Sequence, residues 1–201
     1  MMRSYKLLTV TFVLLSLIFI NGCDNNLPRE DYIGYKTFSL VDQDSLPVTF
    51  PSDYKGQILV VGFIFTHCPD ICPITVHNIQ RIQIEAVKQN IKNIQFAAVS
   101  FDPDRDTPSL LKKFGKMRNI NYSNWKFLTG VRDTVLELTK EMEIVAVSSG
   151  TTYLKDGSKS YFFTHTDRIS LIDKRNRLRK DYIGTAVDIQ EIIKDIKSLE
   201  E

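Results

Sequence analysis

An α/β fold built on a partly parallel central sheet is what this chain predicts, on three observations. Residues 58–65, ILVVGFIF, are a continuous apolar run rich in β-branched residues, which suits a strand covered on both faces. Residues 74–89 follow with helical spacing, because Ile79, Ile82, Ala86 and Val87 can share one face. Residues 94–101 read as a second buried strand, so that strand, helix and strand succeed one another.

The remaining elements follow in order. Residues 36–50 alternate apolar and polar on both sides of Asp42-Gln43-Asp44-Ser45, the pattern of a β-hairpin at the domain entrance. Lys55-Gly56 turns the chain into the central strand. After residue 101, Asp106 or Thr107 caps a helix that has Pro108 in its first turn and runs to about Arg118. Trp125 to Leu128 is a short apolar piece, Val131 to Met142 a helix, and Ile144 to Val147 a strand. Residues 148–160 form a polar excursion, a loop or hairpin. Tyr161 to Thr164 and Arg168 to Asp173 flank His165, Arg177 to Ile183 forms the last strand, and Ala186 to Leu199 is a closing amphipathic helix. This is the order of a thioredoxin-like fold with an added N-terminal β-hairpin and a mid-chain insertion.

The chain has 201 residues with ordinary apolar and charged fractions, which bounds it to one compact domain plus tails. Residues 1–22 stand apart. Arg3 and Lys6 form a basic start, and residues 7–20 are apolar except for threonine and serine, as in a secretory signal. The ending Ile20-Asn21-Gly22-Cys23 resembles the lipobox of bacterial lipoproteins, which implies acylation of Cys23. Asp24 resembles the residue that keeps such proteins on the inner membrane of Gram-negative bacteria. The alternative is an uncleaved signal anchor, but the apolar core is shorter than the roughly 20 residues a spanning helix needs. Either way the domain lies outside the cytoplasm. Residues 23–35, polar and turn-rich, read as a membrane tether, and residues 36–201 as the domain.

Without residues 1–22, the 26 basic residues lose Arg3 and Lys6 and balance the 24 acidic ones. That gives no basic footprint for nucleic acid. With Cys23 taken by lipid, two of the three cysteines remain, Cys68 and Cys72. In an oxidising compartment the pair can persist as a disulfide, form one reversibly, or bind a metal.

The pair sits in THCPDICP, residues 66–73, where the central strand ends and a helix begins. In open α/β sheets this C-terminal edge is where sites form. If the turn is helical, the two cysteines are one turn apart, roughly 6 Å between Cα atoms, which is within disulfide reach. A helix N-terminus favours the thiolate, both nucleophile and ligand. Pro69 and Pro73 fit a first turn, where a missing N–H costs little. The alternative is two inert core cysteines.

Three segments in this order, THCPDICP, SFDPDRDTP and YFFTHTDRISLID, resemble the Sco/SenC proteins over roughly residues 35–200. These are membrane-anchored, thioredoxin-fold copper proteins that assist assembly of the copper centre of cytochrome c oxidase. The resemblance implies Cys68, Cys72 and His165 as copper ligands, Asp102 at the edge of the site, and the oxidase copper-centre subunit or another copper-receiving protein as partner. Two positions depart from the pattern. Ser45 stands where glycine is more usual, and Thr164 precedes the histidine where an acidic residue is common, a change that bears on outer contacts of the site.

The residue chemistry agrees with copper. Two thiolates and an imidazole form a soft set suited to Cu(I) and able to accept Cu(II), whereas structural zinc takes a fourth protein ligand. His77 lies five residues after Cys72, about 140° around a helix, and faces away. His67 adjoins Cys68 and projects elsewhere. His165, in a polar-flanked break, is on residues alone either a ligand or a solvated loop histidine. Asp70 reads as a helix N-terminal acid. Asp102, Asp104 and Asp106 read as turn and cap residues between Pro103 and Pro108 rather than as a hard-metal cluster. Tyr161, Phe162 and Phe163 read as core and rim.

A thiol–disulfide oxidoreductase that reduces a target's cysteines is the competing function, and a redox or copper sensor is another. Thioredoxins carry two residues between their cysteines and a cis-proline opposite. Here there are three residues, and no proline follows Pro108. A peroxiredoxin-like peroxidase lacks its expected proline ahead of Cys68.

Overall fold

The computed structural model describes residues 27–153 and 159–200. The leader, Cys23 and the first residues of the tether lie outside them. Among the described residues, no helix is long and apolar enough to cross a membrane.

Among the described residues, ten strands and four α-helices follow the expected order. They are β1 Asp31–Tyr32, β2 Phe38–Asp42, β3 Pro47–Phe50, β4 Ile58–Ile64, α1 Ile71–Lys88, β5 Ile94–Ser100, α2 Pro108–Lys116, β6 Trp125–Gly130 and α3 Arg132–Glu141, then β7 Ala146–Tyr153, β8 Lys159–His165, β9 Arg168–Ile172, β10 Arg177–Ile183 and α4 Ile189–Ser198. Eight strands form one sheet in the order β1-β10-β9-β4-β5-β6-β2-β3, and β7 pairs with β8 alone. β4, β5 and β6 run parallel, while β9 lies antiparallel to β4 on its other side. This is the thioredoxin-like α/β arrangement with its added N-terminal hairpin, β2–β3.

All seven residues of β4 are buried, which explains why its sequence does not alternate. Helix α1 lays Val76, Ile79, Ile82 and Ala86 on the sheet. It approaches closely at Gly62, where an added Cβ would stand 2.7 Å from Ile79 Cδ1. The β2–β3 turn places Ser45 at φ 63°, a left-handed conformation that glycine adopts more cheaply. Asp42 supports this turn by accepting from the amides of Asp44 and Leu46.

Several boundaries differ from the sequence reading. α1 begins at Ile71, because Pro73 falls in its first turn, where a missing N–H breaks no helical bond. The short apolar piece at Trp125 is a full strand: Trp125 pairs with Phe96 of β5 and their rings stack 6.1 Å apart. The polar excursion is a two-stranded ribbon. Its strands pair with each other and not with the main sheet, so β7 keeps polar, exposed side chains.

The tether reading also changes from residue 27 onwards. Leu27 packs on the core. The Arg29 amide donates to the Arg179 carbonyl at 3.1 Å, and the Arg29 guanidinium meets Asp181 at 2.7 Å. β1 then pairs antiparallel with the start of β10, Asp31 beside Leu178 and Tyr32 beside Arg177. Composition could not reveal this docking, because both partners lie about 150 residues away. The chain thus reaches the sheet from the end at which β4 finishes.

Trp125 is 1% exposed, between Phe96 and Phe127. Trp125→Ala is expected to cost about 3–5 kcal/mol and to lower the melting temperature by roughly 10 °C, as read by circular dichroism. An unchanged melting temperature would contradict the packing of β6 into this core.

Candidate metal centre

The two cysteines and His165 are delivered by three different stretches of chain. Cys68 lies in the loop that leaves β4, Cys72 is the second residue of α1, and His165 is the last residue of β8. The Sγ atoms and a ring nitrogen of His165 lie within 4.8 Å of one another. Among the described residues, this is the group of metal-capable side chains that converges in this way. Cys72 is fully buried and Cys68 half-buried, both as free thiols.

Local backbone groups hold the sulfurs. The Phe65 amide donates to Cys72 Sγ at 3.5 Å, and the Cys72 amide donates to Cys68 Sγ at 3.4 Å. His165 is oriented through its other nitrogen, with Nδ1 2.9 Å from the Thr166 carbonyl. A carbonyl can only accept, so Nδ1 carries the proton and Nε2 presents its lone pair. That Nε2 lies 3.5 Å from Cys72 Sγ. The ring packs between Phe65 and Phe101, at 5.8 and 5.0 Å between centroids, and Phe163 closes the cluster edge-on to both.

Burial pushes the Cys72 thiol well above its ordinary range, and the nearby Cys68 adds to the shift. The helix N-terminus does not prevail here as the sequence reading expected. Desolvation dominates, because Cys72 points into the core rather than along the helix axis to solvent. Burial therefore favours the protonated form of Cys72.

The aspartates of the DPDRD stretch divide their work. Thr107, rather than Asp106, caps α2 by accepting from the Leu110 amide. Asp106 is fully buried and accepts from the Thr66 amide at 2.9 Å, from the Thr66 hydroxyl and from the Ser100 hydroxyl at 2.6 Å. It pins the start of the cysteine loop to the end of β5, a role hidden in sequence because the partners are up to 40 residues away. Asp102 makes no hydrogen bond to His165. Its carboxylate accepts from Tyr161 Oη at 2.8 Å and Arg105 Nε at 2.5 Å. Burial and the bond to Asp102 push the Tyr161 hydroxyl up to about 12, so it remains a donor. Asp104 pairs with Arg132 at the surface.

The other expectations resolve simply. His77 is exposed on the far face of α1, and His67 is half exposed beside Thr66. Asp70 is the exposed N-cap of α1. Thr164 pairs with Val147 on the outer face of the ribbon, so its departure from the family pattern does not reach the donor atoms of Cys68, Cys72 and His165. Asp167 was missed from sequence. It accepts from Thr75 of α1 at 3.0 Å and from the Thr185 amide at 2.9 Å, and so ties the segment after His165 to the cysteine-bearing helix.

The fold and the site define a thioredoxin-like protein with a two-cysteine, one-histidine cluster at the end of a parallel strand. The chain belongs to the SCO1/SenC family, whose model matches residues 28–201. A Stutzerimonas stutzeri protein named for copper binding is 30% identical over 155 residues, which is 76% of this chain and 70% of that protein. A SCO1/SenC family lipoprotein from Bacillus anthracis superposes with a TM-score of 0.71 at 29% identity, over 87% of this chain and 97% of that one. BsSco, described as having a disulfide switch and as a member of the Sco family of cytochrome c oxidase assembly proteins, superposes with a TM-score of 0.68. It is 25% identical over 85% of this chain and 94% of its own.

Asp106 offers a check with a defined sign. Burial raises its pKa, so the folded state holds this proton more tightly than the unfolded chain does. That contribution to stability is present below the unfolded value, about 3.9, and is lost as pH rises through the raised folded value. In Asp106→Asn the side chain cannot ionise. The stability of the wild type relative to Asp106→Asn is therefore expected to fall as pH rises from about 4. Urea titrations of both proteins from pH 3.5 upward measure this, and parallel profiles would contradict it.

Proposed function

We propose that this chain is an extracytoplasmic, membrane-tethered copper-binding protein that assists assembly of the copper centre of cytochrome c oxidase. Cys68, Cys72 and His165 are the proposed ligands, and the convergence of their donor atoms within 4.8 Å carries this reading. Two sulfurs and one imidazole nitrogen suit copper, and among the described residues no fourth protein ligand of the kind usual in structural zinc sites joins the cluster. Bound copper supplies the positive charge that lets two adjacent thiols, one of them buried, shed their protons. The residues do the rest. The Phe65 and Cys72 amides steady the sulfurs, Thr166 fixes the imidazole, and the three phenylalanines keep water from one side of the cluster. The half-exposed Cys68 is where a receiving protein's ligands can enter. That receiver is proposed to be the copper-centre subunit of the oxidase or another copper acceptor.

Thiol–disulfide exchange is the second reading, favoured by the closeness of the two free sulfurs. The disulfide switch described for BsSco supports it. Forming the disulfide removes two electrons and two protons from the pair, and a target disulfide takes up both as it is reduced.

Variants separate the two readings. The chain from residue 24 is expected to bind one copper ion. His165→Ala should weaken binding at least tenfold, since even outer-shell partners of a metal are worth roughly 10–100-fold. It should also abolish the thiolate-to-copper absorption of the Cu(II) form while leaving disulfide formation intact. Cys68→Ser or Cys72→Ser should abolish both. Full oxidase activity in a copper-limited His165→Ala strain would overturn copper delivery in favour of thiol chemistry.

The anchor is proposed to be a lipid on Cys23, and the B. anthracis relative described as a lipoprotein supports this. Labelled palmitate is expected to enter the wild type and not Cys23→Ala, which should leave the membrane fraction. Unchanged maturation and membrane retention in Cys23→Ala would rule the lipid anchor out.

A further inference from the structure

We propose that Tyr161, bonded to Asp102 and Arg105, is a positioning residue that latches the β7–β8 ribbon to the domain and so sets His165 over the cysteines. This rests on the copper reading above and names a device that serves it.

The ribbon needs such a device. Its strands pair only with each other, so no ladder of backbone bonds joins them to the main sheet. Beneath its inner face lies a cavity of about 820 Å³, walled by Ala146, Ser148 and Thr151 on one side and by Leu136, Thr139 and Lys140 of α3 on the other. Packing is therefore missing along much of the ribbon's length. Residues two apart share a strand face, so Tyr161, Phe163 and His165 point the same way. Phe163 joins the aromatic cluster, and His165 reaches Cys72. Four residues before the histidine, Tyr161 makes the polar attachment. Its hydroxyl donates to buried Asp102 at 2.8 Å, its carbonyl accepts from Arg105 Nη1 at 3.0 Å, and the guanidinium lies 3.6 Å from its ring centroid. Arg105 Nε closes the triangle on Asp102. Among the described residues, these bonds, the His165–Cys72 contact and the bond from His165 to the carbonyl of the next residue, Thr166, are the side-chain polar links between the ribbon strands and the rest of the domain.

Asp102 belongs to the loop after β5, on the same sheet edge as the cysteine loop. The latch therefore references the histidine strand to the frame that carries Cys68 and Cys72. A ribbon released at Tyr161 pivots about Phe163, and the imidazole at its end loses its fixed distance from Cys72.

Tyr161→Phe removes one hydroxyl and keeps the ring, so the fold should survive. Asp102→Asn is the second variant. Both are made in the full chain, purified in detergent. In the metal-free protein, amide hydrogen exchange of residues 146–153 and 161–165 should quicken at least tenfold in each variant, with β4 and β5 unchanged. Cu(II) affinity should fall about tenfold, the scale of one hydrogen bond to a charged group, while disulfide formation keeps its wild-type rate. Combined with His165→Ala, Tyr161→Phe should cause no further loss of copper, and the Tyr161→Phe/Asp102→Asn pair should be no worse than either single change. Unchanged ribbon exchange would overturn the latch whatever copper does. An equal loss of copper affinity with and without His165 would also overturn it. A wild-type protein that fails to bind copper would instead defeat the functional reading, and the exchange measurement would still decide the latch.

Discussion

The burial of β4 on both faces is the constraint on which the rest depends. Each of its residues is shielded, it pairs in parallel with β5 and antiparallel with β9, and α1 presses down at Gly62. A strand so enclosed cannot slide, because a one-residue slip would move every side chain to the opposite face. Its last residue is thereby a fixed point. The cysteine loop departs from it, the Phe101 amide returns to the Ile64 carbonyl beside it, and Asp106 ties the two departures together.

The cluster balances two opposed demands. A buried thiol is easily kept protonated and inert, whereas a ligand must give up its proton. Here one sulfur is buried against the aromatic wall and the other is partly open, so the pair combines a rigid donor with an accessible one. The histidine arrives on the least embedded element of the domain. Its nitrogen is aimed by a backbone carbonyl at 2.9 Å, which fixes the tautomer, while its strand remains free of the main sheet.

Local pattern was enough for the central strand, the helix after it, the entrance hairpin and the closing helix, because each carries its own period. It also placed Cys68 and Cys72 at a strand–helix junction. His165 could be chosen over His67 and His77 partly by helix angle, but its arrival beside Cys72 is a contact across 93 residues that no local pattern encodes. The same limit hid Asp106, Asp167 and Arg29, whose partners are remote in the chain. β6 was under-read because strand character in Trp125–Gly130 comes from pairing with β5. The upward shift of Cys72 was missed because its burial depends on neighbours remote in the chain, His165 among them.

The direction of β1 has a geometric consequence. Because β1 runs antiparallel to β10, and so to β4, the segment before it leads back toward the end of the sheet from which the cysteine loop departs. Three residues lie between Leu27 and Cys23, a leash of roughly 14 Å at full extension. With the acyl chain proposed for Cys23, the domain would be held close to the bilayer. A membrane-bound acceptor would then be met within a thin layer of solvent, where search is nearly two-dimensional and the encounter is governed by lateral diffusion.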